Sequence, residues 1–296
     1  LSLADLAMLA VRWTMNGFPK NIHVVPLGHE IDRAVRPFDH TSADLVYVLA
    51  VTDREKYAKE MIDQQEYFTQ QVIKGLEERH ITTQFISADL FDMLTVMQHI
   101  SYIIRQERDN GNDVHVNISA CGRLTSIATA FAAMAVSGDL EDEEKTPVRV
   151  YYVHANRYSE TKEERLQHGI SICTGEKITL FENFQIVMPD PVSTDLLVHL
   201  MDKPAGIDTD NLFTFLREKQ VEGFAKDLNT LNKYEKRPIQ SNYLMKANKR
   251  YLERLQRQGY ISIKKPQLTK TISITPAGRH IASISGKVKP LRDRFP

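Results

Sequence analysis

The chain has 296 residues, 42% hydrophobic and 26% charged, with a formal net charge of zero. This is the composition of a soluble globular protein with room for two cored domains, and no apolar run nears the roughly 18 residues that a membrane-spanning helix needs. The zero hides an asymmetry: residues 1–190 carry 18 Lys+Arg against 28 Asp+Glu, residues 191–296 carry 20 against 10, and residues 236–296 carry 15 against 2. An acidic front joined to a basic tail suggests two jobs, the second directed at a polyanion.

Asp5 precedes the short apolar patch Leu6 to Val11 and no basic leader accompanies it, so no signal peptide is expected. Cys121 and Cys173 match no zinc or disulfide spacing. Reduced thiols in a cytoplasmic protein are therefore expected, with no metal site and no cofactor. Ile22 to Leu27 reads as a first buried strand, with Gly28 to Arg33 turning into a short helix that ends near Phe38. Leu45 to Val51 is almost unbroken apolar sequence, as in a parallel strand covered on both faces. Asp53 to Arg79 is rich in helix formers, with Met61, Phe68, Val72 and Leu76 at roughly helical spacing. Thr82 to Ser87 is a weaker strand, and Asp89 or Asp92 caps a helix that runs to about Asp109.

Asn110-Gly111-Asn112 is a turn before Val114 to Ile118, whose Val114, Val116 and Ile118 alternate with polar residues. The chain then breaks at Ser119-Ala120-Cys121-Gly122, where Gly122 permits a tight turn and close backbone approach. Ile127 to Ala135 suits a helix apolar almost all round, which must be buried. Strand, polar turn and helix in that order aim backbone N–H groups at an anion, and Ser119, Arg123 and Thr125 add the hydroxyls and guanidinium that a phosphate favours. Neither the P-loop nor the Gly-x-Gly-x-x-Gly pattern is present. Val148 to Val153 is a further buried strand, and Lys177 to Met188 adds one or two more. Residues 139–145 and 159–165 read as solvent-exposed connections. Strands alternating with helices imply a Rossmann-like, mostly parallel sheet, whose ligands bind beyond the carboxyl ends of the strands. The candidate loops are Gly28 to Arg33 and Ser119 to Arg123. The lone residues His99, His154, His168 and Trp13 are read as packing or surface groups.

Met188-Pro189-Asp190-Pro191 breaks regular structure and marks a boundary, giving domains over 20–190 and 191–296. Thr194 to Met201, Thr209 to Arg217 and Val221 to Tyr234 read as helices, and Ser241 as the cap of a helix over Asn242 to Gln258. On a helical wheel Lys246, Lys249, Arg250, Arg254 and Arg257 share one side, with Leu244, Ala247, Tyr251, Leu252 and Leu255 opposite. Gly259 ends the helix. A basic hairpin comes next, with Lys264, Lys265 and Lys270 in or beside its tip, and Thr275-Pro276 opens a last helix. This is the order of a winged helix-turn-helix, in which one helix enters the DNA major groove and the hairpin touches the flanking backbone.

Leu252 to Ile261, leading to Thr275-Pro276-Ala277-Gly278-Arg279, resembles the end of MarR/ArsR-type winged-helix regulators. Ile22 to Gly28 with Asp32-Arg33, Val116 to Ala120, and Arg149 to Val153 resemble archaeal regulators that fuse a CARF-like (CRISPR-associated Rossmann fold) sensor to such a module. That resemblance implies cyclic oligoadenylate bound at a dimer interface, with Gly28, His29, Asp32 and Arg33 on one wall and Ser119, Ala120, Cys121, Gly122, Arg123 and Thr125 on the other. It departs at one point: CARF proteins often carry a Gly-Gly-Thr-like turn where this chain has Ser-Ala-Cys-Gly-Arg. The expectation is therefore a homodimeric, ligand-responsive transcriptional regulator that binds double-stranded DNA, senses a nucleotide-type effector and has no catalytic residues. The competing expectation is a ring-nuclease-like enzyme using His29, Ser119 and Arg123, with the winged helix as an accessory. A DNA-associated protein whose front domain only dimerises is the third.

Overall fold

The computed structural model describes residues 18–137, 148–181, 186–264 and 270–290. Leu6 to Val11, Trp13, the charged stretch 139–145, and the wing tip with Lys265 lie outside them. The chain divides into two compact units, of which the second is Val187–Val288.

The first unit runs β1 (Asn21–Pro26), α1 (Asp32–Val35), β2 (Leu45–Ala50), α2 (Lys59–Glu77), β3 (Thr82–Ser87), α3 (Met93–Asp109), β4 (Asp113–Asn117), α4 (Arg123–Ser137) and β5 (Arg149–Val153). It continues through β6 (Arg157–Tyr158), α5 (Lys162–His168), β7 (Ser171–Ile172) and β8 (Ile178–Phe181). Six strands form one Rossmann-like sheet in the order β3-β2-β1-β4-β5-β8, parallel except for β8, which runs antiparallel to β5 at the edge. The order reverses between β1 and β4, so their carboxyl ends open a crevice there.

Local physics accounts for the elements. Ile22, Val24 and Val25 of β1 are fully buried, as in a strand covered on both faces. Helix α2 buries Ile62, Gln65, Phe68, Thr69, Val72 and Leu76, a 3–4 spacing that makes one stripe. Of the two candidate caps for α3, Asp92 accepts the Thr95 N–H at 2.9 Å, while Asp89 instead holds Lys56 and Tyr57. Helix α4 corrects the expectation of all-round burial. It packs Ala128, Ala132 and Ala133 inward and lies alongside α3, but Leu124, Ile127 and Phe131 remain 48%, 50% and 43% exposed. A helix lying on a sheet covers only the sides that meet the sheet and its neighbour.

The second unit contains α6 (Pro191–Met201), α7 (Thr209–Glu218) and α8 (Lys233–Ala247), which continues through a π turn over Asn248–Leu252 into α9 (Glu253–Arg257). Strands β9 (Ile261–Lys264) and β10 (Thr271–Ile274) form the antiparallel hairpin, and α10 (Pro276–Ile284) closes the unit against α6. Ile207 bridges to Ile272, adding a one-residue third strand beside the hairpin. Leu196, Leu200, Leu212, Phe224, Leu252 and Ile261 share its core.

Two helix expectations fail here. Val221 to Tyr234 is mostly turn, with a short 3-10 segment at Leu228–Thr230, and Ser241 lies inside a helix that it was expected to cap. The true start is a capping box: Asn232 Oδ1 accepts the Tyr234 and Glu235 N–H groups at 3.1 Å, and the Glu235 carboxylate accepts the Asn232 N–H at 3.4 Å. Pro238 then sits in the second turn, unable to donate to the carbonyl of Tyr234. The π turn explains the core spacing: Tyr243 and Ala247 are four apart, but Ala247 and Leu252 are five apart and both buried. One extra residue in the turn keeps them on one face. At the motif's end, Thr275 Oγ1 donates to the Gly259 carbonyl and accepts the Gly278 N–H, and a Cβ at Gly278 would overlap the Tyr260 carbonyl oxygen. The Thr-Pro-Ala-Gly sequence is thus where α10 crosses the end of α9.

Candidate functional site

The two loops of the crevice meet through their backbones: the Gly28 N–H donates to the Ala120 carbonyl at 2.8 Å. Gln65 of α2 steadies the first loop by donating to the carbonyls of Leu27 and Gly28 at 3.1 and 3.4 Å. Gly122 does not take a left-handed φ, and a Cβ there would come only within 3.9 Å of Thr125. A Cβ at Gly28 would sit 3.6 Å from Cys121, ordinary contact. The tight turn read from Gly122 is therefore not one that requires glycine.

The ten sequence-derived ligand residues separate into two layers. Asp32, Arg33, Ser119, Ala120 and Thr125 are buried, and the polar side chains among them are bonded to protein. Arg33 donates to the Ser119 carbonyl at 3.2 Å and the Tyr152 hydroxyl at 3.2 Å, lies over the Tyr152 ring, and pairs with buried Glu30 at 3.4 Å. The Ser119 hydroxyl donates to Asn117 at 2.6 Å and accepts the Val153 N–H at 3.1 Å. Thr125 donates to the Leu90 carbonyl at 2.8 Å. The other layer reaches the surface: Gly122 and Arg123 are exposed, and Gly28, His29 and Cys121 are partly so. Those five, with the first-turn amides of α4, are what a bound anion could touch.

Electrostatics separates them further. His29 stacks on Phe68 with ring centroids 4.8 Å apart, and burial, with Arg165 nearby, holds its pKa below the usual value, so it is neutral at pH 7. Burial, then the Glu30 carboxylate, pushes the Cys121 thiol up to about 12, which leaves it unreactive at neutral pH. The Ser119 hydroxyl, buried and doubly engaged, is badly placed to act as a nucleophile.

The buried layer is held by residues just beyond the 159–165 connection, which is itself largely exposed as expected. Strands β6 and β7 pair antiparallel with α5 at their tip, forming a strap across the loop after β1. Glu30 accepts the Ser171 N–H and hydroxyl at 2.9 and 2.8 Å, while Asp32 accepts the Cys173 N–H and His168 Nδ1–H, both at 3.1 Å. Backbone bonds from Ile31 to His168 and from Ile170 to His29 complete it. Burial raises the pKa of Glu30, against the opposing pull of Ser171 and Arg33. His168 carried no pattern that would have marked it as a partner of Asp32.

In the second unit the expected basic groups fall along one helix and its hairpin. Lys249, Arg250, Arg254, Arg257 and Lys264 are exposed; Lys246 and Lys270 are partly so. Arg250 donates to the Glu222 carbonyl at 2.9 Å. The earlier helix start brings in Tyr234, 91% exposed, and exposed Arg237, Ser241 and Met245, which the sequence reading left off the candidate face. The Asn232-x-x-Glu235 spacing was the available signal. Among the described residues no cluster of His, Cys, Asp or Glu could hold a metal ion, and no helix is long and apolar enough to cross a membrane.

Comparison with known proteins respects this division. Residues 21–158 match the family described as "HFX_2341_N:-like, N-terminal" and residues 193–286 match the "DUF6293 C-terminal winged helix domain". The uncharacterized protein MJ1513 of Methanocaldococcus jannaschii is 26% identical over 152 residues, 49% of this chain and 42% of that protein. The chain therefore matches less than half the length of that relative. Protein VC1899 from Vibrio cholerae is similar with a TM-score of 0.34 at 15% identity, over 89% of this chain and 64% of that one. Can2 from Sulfobacillus thermosulfidooxidans, solved in complex with cyclic tetra-adenylate, gives 0.36 at 12%, over 88% and 63%. The front of the chain is thus similar to the HFX_2341_N:-like family, and its second unit to the DUF6293 C-terminal winged helix domain.

Proposed function

We propose that the chain is a homodimeric, effector-responsive transcriptional regulator, with a sensor and dimerisation domain over 20–190 and a DNA-binding domain over 191–296. The observation that carries this is the winged helix with Lys249, Arg250, Arg254, Arg257 and Lys264 exposed on its long helix and hairpin. Such a face neutralises backbone phosphates, while the exposed N-terminal turns at Tyr234, Arg237 and Ser241 are where a recognition helix meets base edges.

The effector is a nucleotide-type anion, cyclic oligoadenylate being the class that the sequence resemblance implies. It would lie on Gly28, His29, Cys121, Gly122 and Arg123, with the buried layer fixing the two loops. The exposed stripe Leu124, Ile127 and Phe131 begins beside Arg123 and supports dimerisation next to that site. An effector that prefers one arrangement of the dimer then changes how the winged helices reach DNA.

The test is binding of the full chain to labelled double-stranded DNA by fluorescence anisotropy, with and without cyclic tetra-adenylate. The expected result is salt-dependent binding whose affinity shifts with effector, the shift being lost in Arg123→Ala. Binding unaffected by replacing Lys249, Arg250 and Arg254 together removes the helix from the reading. Turnover of labelled cyclic tetra-adenylate makes the front domain a ring nuclease instead.

A further inference from the structure

Strand order sets the carboxyl ends of β2 and β3 apart from the β1–β4 crevice, and a second cavity lies there, of about 180 Å³. Thr52, Ser87, Thr95 and Gln98 line it, with Asp53, Lys56 and Asp89. None of these residues belongs to the proposed effector site, so occupancy of this cavity does not depend on that effector.

The lining narrows the occupant. The Thr52 and Ser87 hydroxyls lie 2.6 Å apart, and the Thr95 hydroxyl donates to Asp92 at 2.5 Å, leaving its oxygen able to accept. His99, also in the lining, has Nδ1 on the Thr95 carbonyl at 2.9 Å. The charges are engaged locally: Lys56 pairs with Asp89 at 2.5 Å, and Asp53 accepts the N–H groups of Glu55 and Lys56, both at 2.9 Å. Two carboxylates against one ammonium leave the lining net negative, which disfavours phosphate and carboxylate ligands. Among the described residues no metal-holding cluster exists here or elsewhere. Hydroxyl, amide and carboxylate groups together suit a ligand whose own groups both donate and accept. The volume is below the roughly 300–1,000 Å³ of pockets for drug-sized ligands.

We propose that this cavity binds a neutral, hydroxyl-rich molecule of one-ring size: a pentose or hexose, free or as the sugar of a nucleoside. Saturation-transfer NMR on the full chain tests it with D-ribose, D-glucose, adenosine and ribose 5-phosphate as probes. At least one neutral probe should bind saturably, with ribose 5-phosphate weaker than ribose. Binding of ribose or glucose identifies a free-sugar site, and binding of adenosine alone a nucleoside site. Thr52→Val keeps the side-chain shape and removes the hydroxyl, and should weaken binding by about tenfold. Gln98→Leu is the second variant, and circular dichroism establishes that each is folded. The proposal falls if no neutral probe saturates, if ribose 5-phosphate outbinds ribose, or if binding survives in every variant that folds.

Discussion

Acidification should weaken the front domain through His23, and the size of the effect is set by where that ring sits. His23 on β1 is buried, stacked on His115 of β4 with centroids 4.6 Å apart and planes 8° apart, edge-on to Phe38, and bonded through Nδ1 to the Tyr151 hydroxyl at 3.0 Å. Burial, then the neighbouring His115, lowers its pKa from 6.5 to about 3. In the unfolded chain the ring takes up a proton near pH 6.5; in the folded one it does not until about pH 3. The stability tied to neutral His23 is whole above 6.5 and drains away between those limits. At pH 5 the gap of about 1.5 pH units corresponds to about 2 kcal/mol, a large share of an ordinary domain stability. His115, lowered by its own burial and by Arg149, adds in the same direction. The assay is urea unfolding by circular dichroism at pH 7.5 and pH 5, for the natural chain and for His23→Asn. Comparing the two drops cancels the carboxylates, and the variant should lose about 2 kcal/mol less than the natural chain. Equal drops, or a His23 imidazole resonance that titrates near 6.5 by NMR, would refute the reasoning.

The strap and the basic helix give three further outcomes. Arg33→Ala leaves Glu30 buried without its cation and should cost about 3–5 kcal/mol in thermal unfolding; adding Glu30→Gln should recover part of that. Gly169→Ala forces a side chain at φ +87° into Ile31 N and Glu30 Cα, 2.5 and 2.7 Å from the new Cβ, so hydrogen exchange should speed up at Ile31 and Ile170 while the second unit is unaffected. Replacing Lys249, Arg250 and Arg254 by Ala should lower the slope of log affinity against log salt by about 2.7 if each meets a phosphate, as read by anisotropy on nonspecific DNA.

The parallel sheet is readable because β1 and β2 must be apolar on both faces, and such runs survive without any partner in view. The capped start of α3 is readable too, since an N-cap is a local arrangement between Asp92 and Thr95. What escapes has nonlocal causes. The strap is held by Glu30 and Asp32 against residues 171 and 173, a separation of 141 positions, and nothing in the sequence around 169–173 marks those partners. The apolar helix α4 announces its composition but not which side the sheet will cover. In the candidate site, a sequence cannot say that Ser119 and Thr125 commit their hydroxyls to backbone and neighbours while Arg123 stays at the surface. The start of α8 is a different case, because its capping box is local and Ser241 simply competed for the role.

The strap also sets an order of events during synthesis. The loop after β1 leaves the ribosome with two carboxylates, Glu30 and Asp32, whose folded partners Ser171 and Cys173 have not yet been made. Chains grow at roughly 5–20 residues per second, so those groups stay hydrated for several seconds or longer. The crevice wall they support is thus among the last parts of the front domain to reach its final form. A nascent chain stopped short of residue 171 can begin the sheet, yet it lacks the bonds that close this loop.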